Sequence, residues 1–143
     1  MVAQLSVRHG REAVEFYKRA FGAEEVYRVG GTDEQPELVS ELRLGKASFW
    51  VADEAPESSN FSPESLGDIT RGSRSSVKLL LEVDDPVDVM SRAVAAGAVE
   101  VYPVADEHGW RLGRIEDPFG HHWEIGKPLV SWPPARAGLP ERG

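Results

Sequence analysis

Polar and apolar residues change period along this chain in an order that is then repeated. Residues 2–8, VAQLSVR, alternate as a half-buried strand does. From Arg11 to Phe21 the apolar residues Ala13, Phe16, Tyr17, Ala20 and Phe21 fall at i, i+3, i+4, i+7 and i+8, which predicts a helix packed on one face. Gly22 supplies the left-handed residue that ends such a helix. Three strands are predicted next, at 24–30, 37–44 and 46–52, with Gly30-Gly31 and Gly45 as turn signals. The order then returns. Residues 77–83, VKLLLEV, predict an apolar strand, and Asp85-Pro86 offers an N-cap side chain followed by proline at the first helical position. That helix runs to Ala96, with Gly97 past its end, and strands follow near 98–104, 111–116 and 121–126. Asp117-Pro118-Phe119-Gly120, with proline at i+1 and glycine at i+3, suits a type I turn.

The two halves also share text. Residues 22–29 read GAEEVYRV and residues 97–104 read GAVEVYPV, so six of eight positions match at an offset of 75, and the same offset carries Gly45 onto Gly120. A period this long exceeds that of a solenoid or propeller unit and points to two copies of one module packed as a pair. A ligand site between the copies is the natural expectation. The boundaries read as module one at 2–52, a connecting loop at 53–76 and module two at 77–127, together one domain over 1–127, with a Pro-rich tail at 128–143. The loop is too long for a simple connection, so it reads as a mobile linker or a cover for the site. Trp132 stands out in the tail as an aromatic that could dock on its own domain or on a partner subunit.

Charge and composition narrow the partners. Sixteen Lys and Arg against twenty-four Asp and Glu give a net charge of −8, which repels nucleic acid and anionic membrane surfaces. With no cysteine the chain has no disulfide and no thiolate nucleophile or thiolate metal ligand. No basic segment followed by an apolar run opens it, and no stretch approaches the roughly 20 apolar residues of a membrane span, so a cytoplasmic protein is expected. No phosphate loop, Ser-His-Asp order or nucleophile elbow is present.

Two β-α-β-β-β modules, the helix text VEFYKRAFGAEE and the closing DPFGHHWEI resemble the vicinal oxygen chelate superfamily, which holds glyoxalase I, the extradiol dioxygenases and the bleomycin-resistance proteins. The resemblance covers residues 2–127. It implies an α+β fold in which eight strands curl into an open, cup-like barrel with both helices outside, often in a homodimer whose cups are completed by the partner. Enzymes of the superfamily usually hold a divalent metal with one His or Glu from the first and last strand of each module. On that pattern Glu124 takes the last-strand position of module two and Lys78 its first-strand position. The repeat carries Glu124 onto Phe49, and matching Val7 to Val83 carries Lys78 onto Val2; a slip of two residues would bring Gln4 there instead.

Only one of these four positions offers a metal donor. An ammonium has no lone pair and repels a cation, so Lys78 is expected to replace the metal's charge and pair with Glu124. Strand alternation puts His122 and Glu124 on one face and His121 and Trp123 on the other. Glu124 and His122 are therefore the alternative metal pair, with Ni, Zn, Mn or Fe as the ion, set against a reading of His122 as a polar pocket wall and of His9, His108 and His121 as solvent-facing tips. Trp50, Trp110 and Phe49 are candidates for an aromatic ligand wall, and Arg114 and Arg111 for an anion clamp, although strand arginines are common on surfaces. Glu41 and Arg43 alternate with Leu42 and Leu44 and are further candidates for the cup face. The expected function is metal-independent binding of an aromatic or cationic small molecule, such as an antibiotic, in a cup of Glu124, Lys78, His122, Trp110, Phe49, Trp50 and Arg114. The alternative is a metal-dependent lyase, isomerase or dioxygenase using Glu124 and His122.

Overall fold

The computed structural model describes residues 1–67 and 76–131. Module one consists of β1 (Gln4–Val7), α1 (Gly10–Phe21), β2 (Glu24–Gly30), β3 (Leu38–Leu44) and β4 (Ala47–Asp53). Module two repeats it as β5 (Lys78–Glu82), α3 (Pro86–Ala95), β6 (Val99–Glu107), β7 (Trp110–Glu116) and β8 (His122–Pro128). Each forms a four-stranded sheet, in the orders β1-β4-β3-β2 and β5-β8-β7-β6, and the first strand lies parallel to the last in both. The barrel is open, not closed. The connection contains a short 3-10 turn at Pro56–Ser58 and a one-turn helix, α2 (Pro63–Leu66), so its described part is ordered locally. Trp132 lies outside the described residues.

One face of each sheet is covered by its helix. In module one Leu5, Val7, Leu42, Phe49 and Val51 are buried toward α1, where Ala13, Phe16, Tyr17 and Ala20 form the predicted stripe. Gly22 ends α1 at φ 72°, its N–H reaching the Lys18 carbonyl. The start of α1 is held from a distance: the Asp53 carboxylate accepts from Gly10 N and Leu38 N, both at 2.7 Å. A side chain at position 10 would collide with that carboxylate, 2.9 Å from where its Cβ would sit. In module two the cap is local, Asp85 accepting from Asp88 N at 3.1 Å as the sequence predicts.

The helices α1 and α3 pack on each other, and an aromatic cluster joins the modules. Tyr17 lies 5.3 Å from the Phe49 ring and 5.5 Å from Trp123, and Phe21 lies 4.8 Å from Trp123. At its centre Asp117, 3% exposed, accepts from Tyr17 Oη at 2.5 Å, Trp123 Nε1 at 2.9 Å and the backbone N–H groups of Phe119 and His121 at 2.9 Å. Burial pushes the Asp117 pKa up, while the His121 charge and the bonds from Tyr17, Trp123 and His121 pull it down without cancelling the rise. Burial, then the Asp117 charge, hold the Tyr17 phenol well above its usual range, so it stays a donor. His121 is no solvent-facing tip: its Nε2 sits 2.9 Å from the Ser6 carbonyl oxygen, a second tie between the modules.

Candidate functional site

The face of module two opposite α3 carries the candidate chemistry, and strand pairing fixes its rows. Lys78 lies beside His122 and His122 beside Glu116; one row along, Leu80 lies beside Glu124, Glu124 beside Arg114 and Arg114 beside Tyr102. His122 and Glu124 therefore share a face, and Trp123, 3% exposed, turns into the core, as alternation requires. The expected ion pair is present. Lys78 Nζ lies 3.0 Å from Glu124 Oε1, with side-chain exposures of 48% and 19%. Arg114 Nη2 reaches the same oxygen at 3.4 Å, and its guanidinium lies 5.0 Å over the Tyr102 ring, a cation–π contact.

A cavity of about 540 Å³ opens on this row, lined by Tyr102, Trp110, Leu112, Arg114 and Glu124, with Glu107 and His108 from the β6–β7 hairpin. Every residue lining it comes from module two. The hairpin closes through His108 and Gly109, both at positive φ (52° and 80°), the geometry of a two-residue turn that matches strand twist. His108 holds this left-handed backbone without glycine's freedom, so the cavity rim is a strained point of the fold. Arg111, on the opposite face of β7, is committed to Asp106 by contacts of 2.8 and 3.2 Å and does not join Arg114.

Phe49 does not belong to this surface. It is 6% exposed and packs edge-on to Tyr17 and Trp123. The cause is one extra residue: the paired Arg43 and Ser48 are separated by residues 44–47, whereas the paired Glu116 and His122 are separated by 117–121. Across that turn the offset between the modules rises from 73, which carries Arg43 onto Glu116, to 74, which carries Ser48 onto His122, and a slip of one flips every side chain to the other face. Trp50, not Phe49, is the counterpart of Glu124. It lies beside Gln4 and Glu41 on the face away from α1, 5.9 Å from the Tyr27 ring. Glu41 and Arg43 share that face by register. Trp50 does not line the Glu124 cavity.

His122 lines a different crevice, between the first strands of the two modules, with Gln4, Ser6, Leu79 and His121. Phe61, Pro63 and Leu66 of the connection lie over this crevice, so the described part of 53–76 covers the inter-module seam instead of the Glu124 cavity. The donor set at Glu124 does not suit a divalent ion. Its Oε1 faces two cations, its counterpart Trp50 has no lone pair to give, and Val2 at the remaining position is an exposed hydrocarbon. No cluster of three His, Asp or Glu with metal-binding proximity occurs among the described residues.

Sequence reasoning missed Asp117 as the inter-module hub, reading it only as the opening residue of a turn. Its acceptance from Phe119 N follows from that turn, but the bond from Tyr17, 100 residues away, had no local signal.

Residues 4–54 match the family described as glyoxalase At5g48480-like, N-terminal domain. The Arabidopsis thaliana protein At5g48480 is 37% identical over 120 residues, covering 78% of this chain and 68% of the relative. The crystal structure of that gene product superposes with a TM-score of 0.65 over 89% of this chain and 97% of its own. The Mycobacterium tuberculosis protein Rv0887c is 34% identical over 129 residues, 87% of this chain and 72% of the relative. TioX from Micromonospora sp. ML1 shares the fold at 24% identity, with a TM-score of 0.68 over 90% of this chain and 98% of its own. With two matching modules, their shared register and these relatives, the chain belongs to the vicinal oxygen chelate superfamily, among the At5g48480-like glyoxalase proteins.

Proposed function

We propose that this protein binds and sequesters a small aromatic compound in the cup of module two, without a metal ion, and that it does so as a homodimer. One observation carries the reading: at the superfamily's metal-ligand position, the only carboxylate, Glu124, already has Lys78 and Arg114 on one oxygen. The two cations engage the carboxylate and orient it, which leaves a polar wall beside aromatic surface and no vacancy for an ion. The cavity volume of about 540 Å³ falls in the usual range for small-molecule sites, and Trp110 and Tyr102 supply ring faces. An antibiotic is a cargo that the family resemblance suggests.

The dimer follows from what the cup lacks. Its lining comes wholly from module two, while Leu80 and Tyr102 on the same face are more than half exposed. Module one presents a complementary surface on its own open face, where Trp50 is flanked by exposed Tyr27, Val29 and Val39. A second copy that lays its Trp50 face over Glu124 would cover both surfaces and enclose the ligand.

Calorimetric titration with a panel of planar aromatic compounds, run on wild type and on Trp110→Ala, tests the reading. Saturable binding weakened at least about tenfold by the substitution, with no divalent ion added, is the expected result. Turnover of a panel compound only on addition of a divalent ion, abolished by Glu124→Gln, would replace it with the metal-dependent enzyme reading.

A further inference from the structure

The charge balance around Glu124 bears on which compound the cup can take. An acidic chain with a carboxylate among aromatic rings suggests a cationic ligand, yet the carboxylate that would attract the cation is occupied twice over. Lys78 and Arg114 both lie within 3.4 Å of Oε1, so a ligand ammonium approaching Glu124 would meet two like charges before it met the carboxylate. The other titratable groups at the cavity are the Tyr102 phenol, on the central row of Leu80, Glu124, Arg114 and Tyr102, and Glu107 and His108 in the hairpin at its rim, off that row.

Arg114 is the group left wanting a partner. Its Nε–H is buried and makes no hydrogen bond, while Nη2 makes only one long contact, to Glu124 at 3.4 Å. A guanidinium presents five donors in a planar fork, and a buried donor without an acceptor costs about 1–3 kcal/mol. Other buried polar side-chain atoms among the described residues are paired, so this strain is confined to one atom at the cavity wall. The guanidinium plane is also fixed from one side by the Tyr102 ring. An acceptor oxygen brought to this edge of the guanidinium would complete the fork.

Building on the proposed binding function, we infer that the ligand of this cup is a planar aromatic compound bearing an acceptor oxygen, a carboxylate or a conjugated carbonyl, which docks on Arg114 while its ring lies against Trp110 and Tyr102. Arg114 is then the specificity-determining residue, and Glu124 serves to position it and Lys78. A cationic aromatic compound is excluded by the same pair of charges that replaces the metal.

Three probes of one shape test this: 2-naphthoate, 2-naphthamide and 2-naphthylmethylammonium, titrated calorimetrically into wild type, Arg114→Lys and Arg114→Gln, with circular dichroism confirming that each variant is folded. Naphthoate and naphthamide should bind at least about tenfold tighter than the ammonium compound, and Arg114→Lys should erase that preference, because lysine keeps the charge but loses the fork. Naphthoate far tighter than naphthamide would identify the oxygen as a carboxylate's, and equal binding as a neutral carbonyl's. Tightest binding by the ammonium compound, or a preference unchanged in both Arg114 variants, would overturn the ligand class while leaving the cup as a binding site. Failure of all three probes to bind would overturn the ligand class and the binding function together.

Discussion

The two modules are one design carried to different ends. Their corresponding rows read Gln4, Trp50, Glu41 and Tyr27 in module one and Leu80, Glu124, Arg114 and Tyr102 in module two. The outer tyrosine is kept, and at the centre an aromatic ring replaces the carboxylate. Below the sheets the faces stay alike, since Phe49 and Trp123 occupy corresponding core positions against the same Tyr17 ring. The difference teaches that the buried face is held by packing, which tolerates little, while the open face is free to carry chemistry in one copy and apolar surface in the other.

The sharpest break in the comparison is at the turns. Asp117→Ala should remove the acceptor for four donors in the core and cost more than about 3 kcal/mol by denaturant unfolding. Lys46→Ala, in the shorter turn of module one, should stay within about 0.5 kcal/mol, because Lys46 is exposed and holds nothing across the modules. A similar cost for both would show that the longer turn is no inter-module lock.

A smaller effect separates the two copies of the repeat. Glu25 and Glu100 match in the shared text, but Glu25 accepts from Arg28 Nε at 2.8 Å and Ser40 Oγ at 2.6 Å, whereas module two has Pro103 in place of Arg28. Burial tends to raise the Glu25 pKa, and the bonds from Arg28 and Ser40, with the charges of Arg28 and Lys18, outweigh it and hold the carboxyl below its ordinary value. A depressed native pKa means stability that is present above the unfolded-state pKa and lost as pH falls through the native one. Glu25→Gln should therefore cost up to about 1 kcal/mol at pH 7 and nothing once pH has fallen below the native pKa. Glu100 is exposed, and Glu100→Gln should stay within about 0.5 kcal/mol at pH 7.

A small effect on stability is also expected at the ion pair. Lys78 is half exposed, so Lys78→Met should shift stability by less than about 1 kcal/mol. Its effect on naphthoate binding should be larger, a loss of severalfold measured by calorimetry. A stability loss without a binding loss would make the pair structural only.

Much of this was legible from residue order, for a physical reason. Helix and strand periods are local, so α1, the Asp85 cap and the shared face of His122 and Glu124 followed from spacing alone. The ion pair of Lys78 and Glu124 followed from the metal-ligand positions that the family resemblance implies. Phe49 was misplaced because a repeat in sequence does not register one extra turn residue between Glu116 and His122, and in a sheet one residue reverses the face. Contacts across 43 and 100 residues, Asp53 capping α1 and Tyr17 bonding Asp117, left no local trace because the side chains that make them are ordinary until the fold brings them together.

The central claim is that two cations stand where the superfamily's metal would. Calorimetric titration of the protein with nickel, zinc, manganese and ferrous iron, on wild type beside Glu124→Gln, tests it most directly. The account predicts no saturable binding in wild type beyond that of Glu124→Gln. Stoichiometric binding of any of these ions to wild type, lost in Glu124→Gln, would contradict it and mean that Lys78 and Arg114 withdraw to admit the metal.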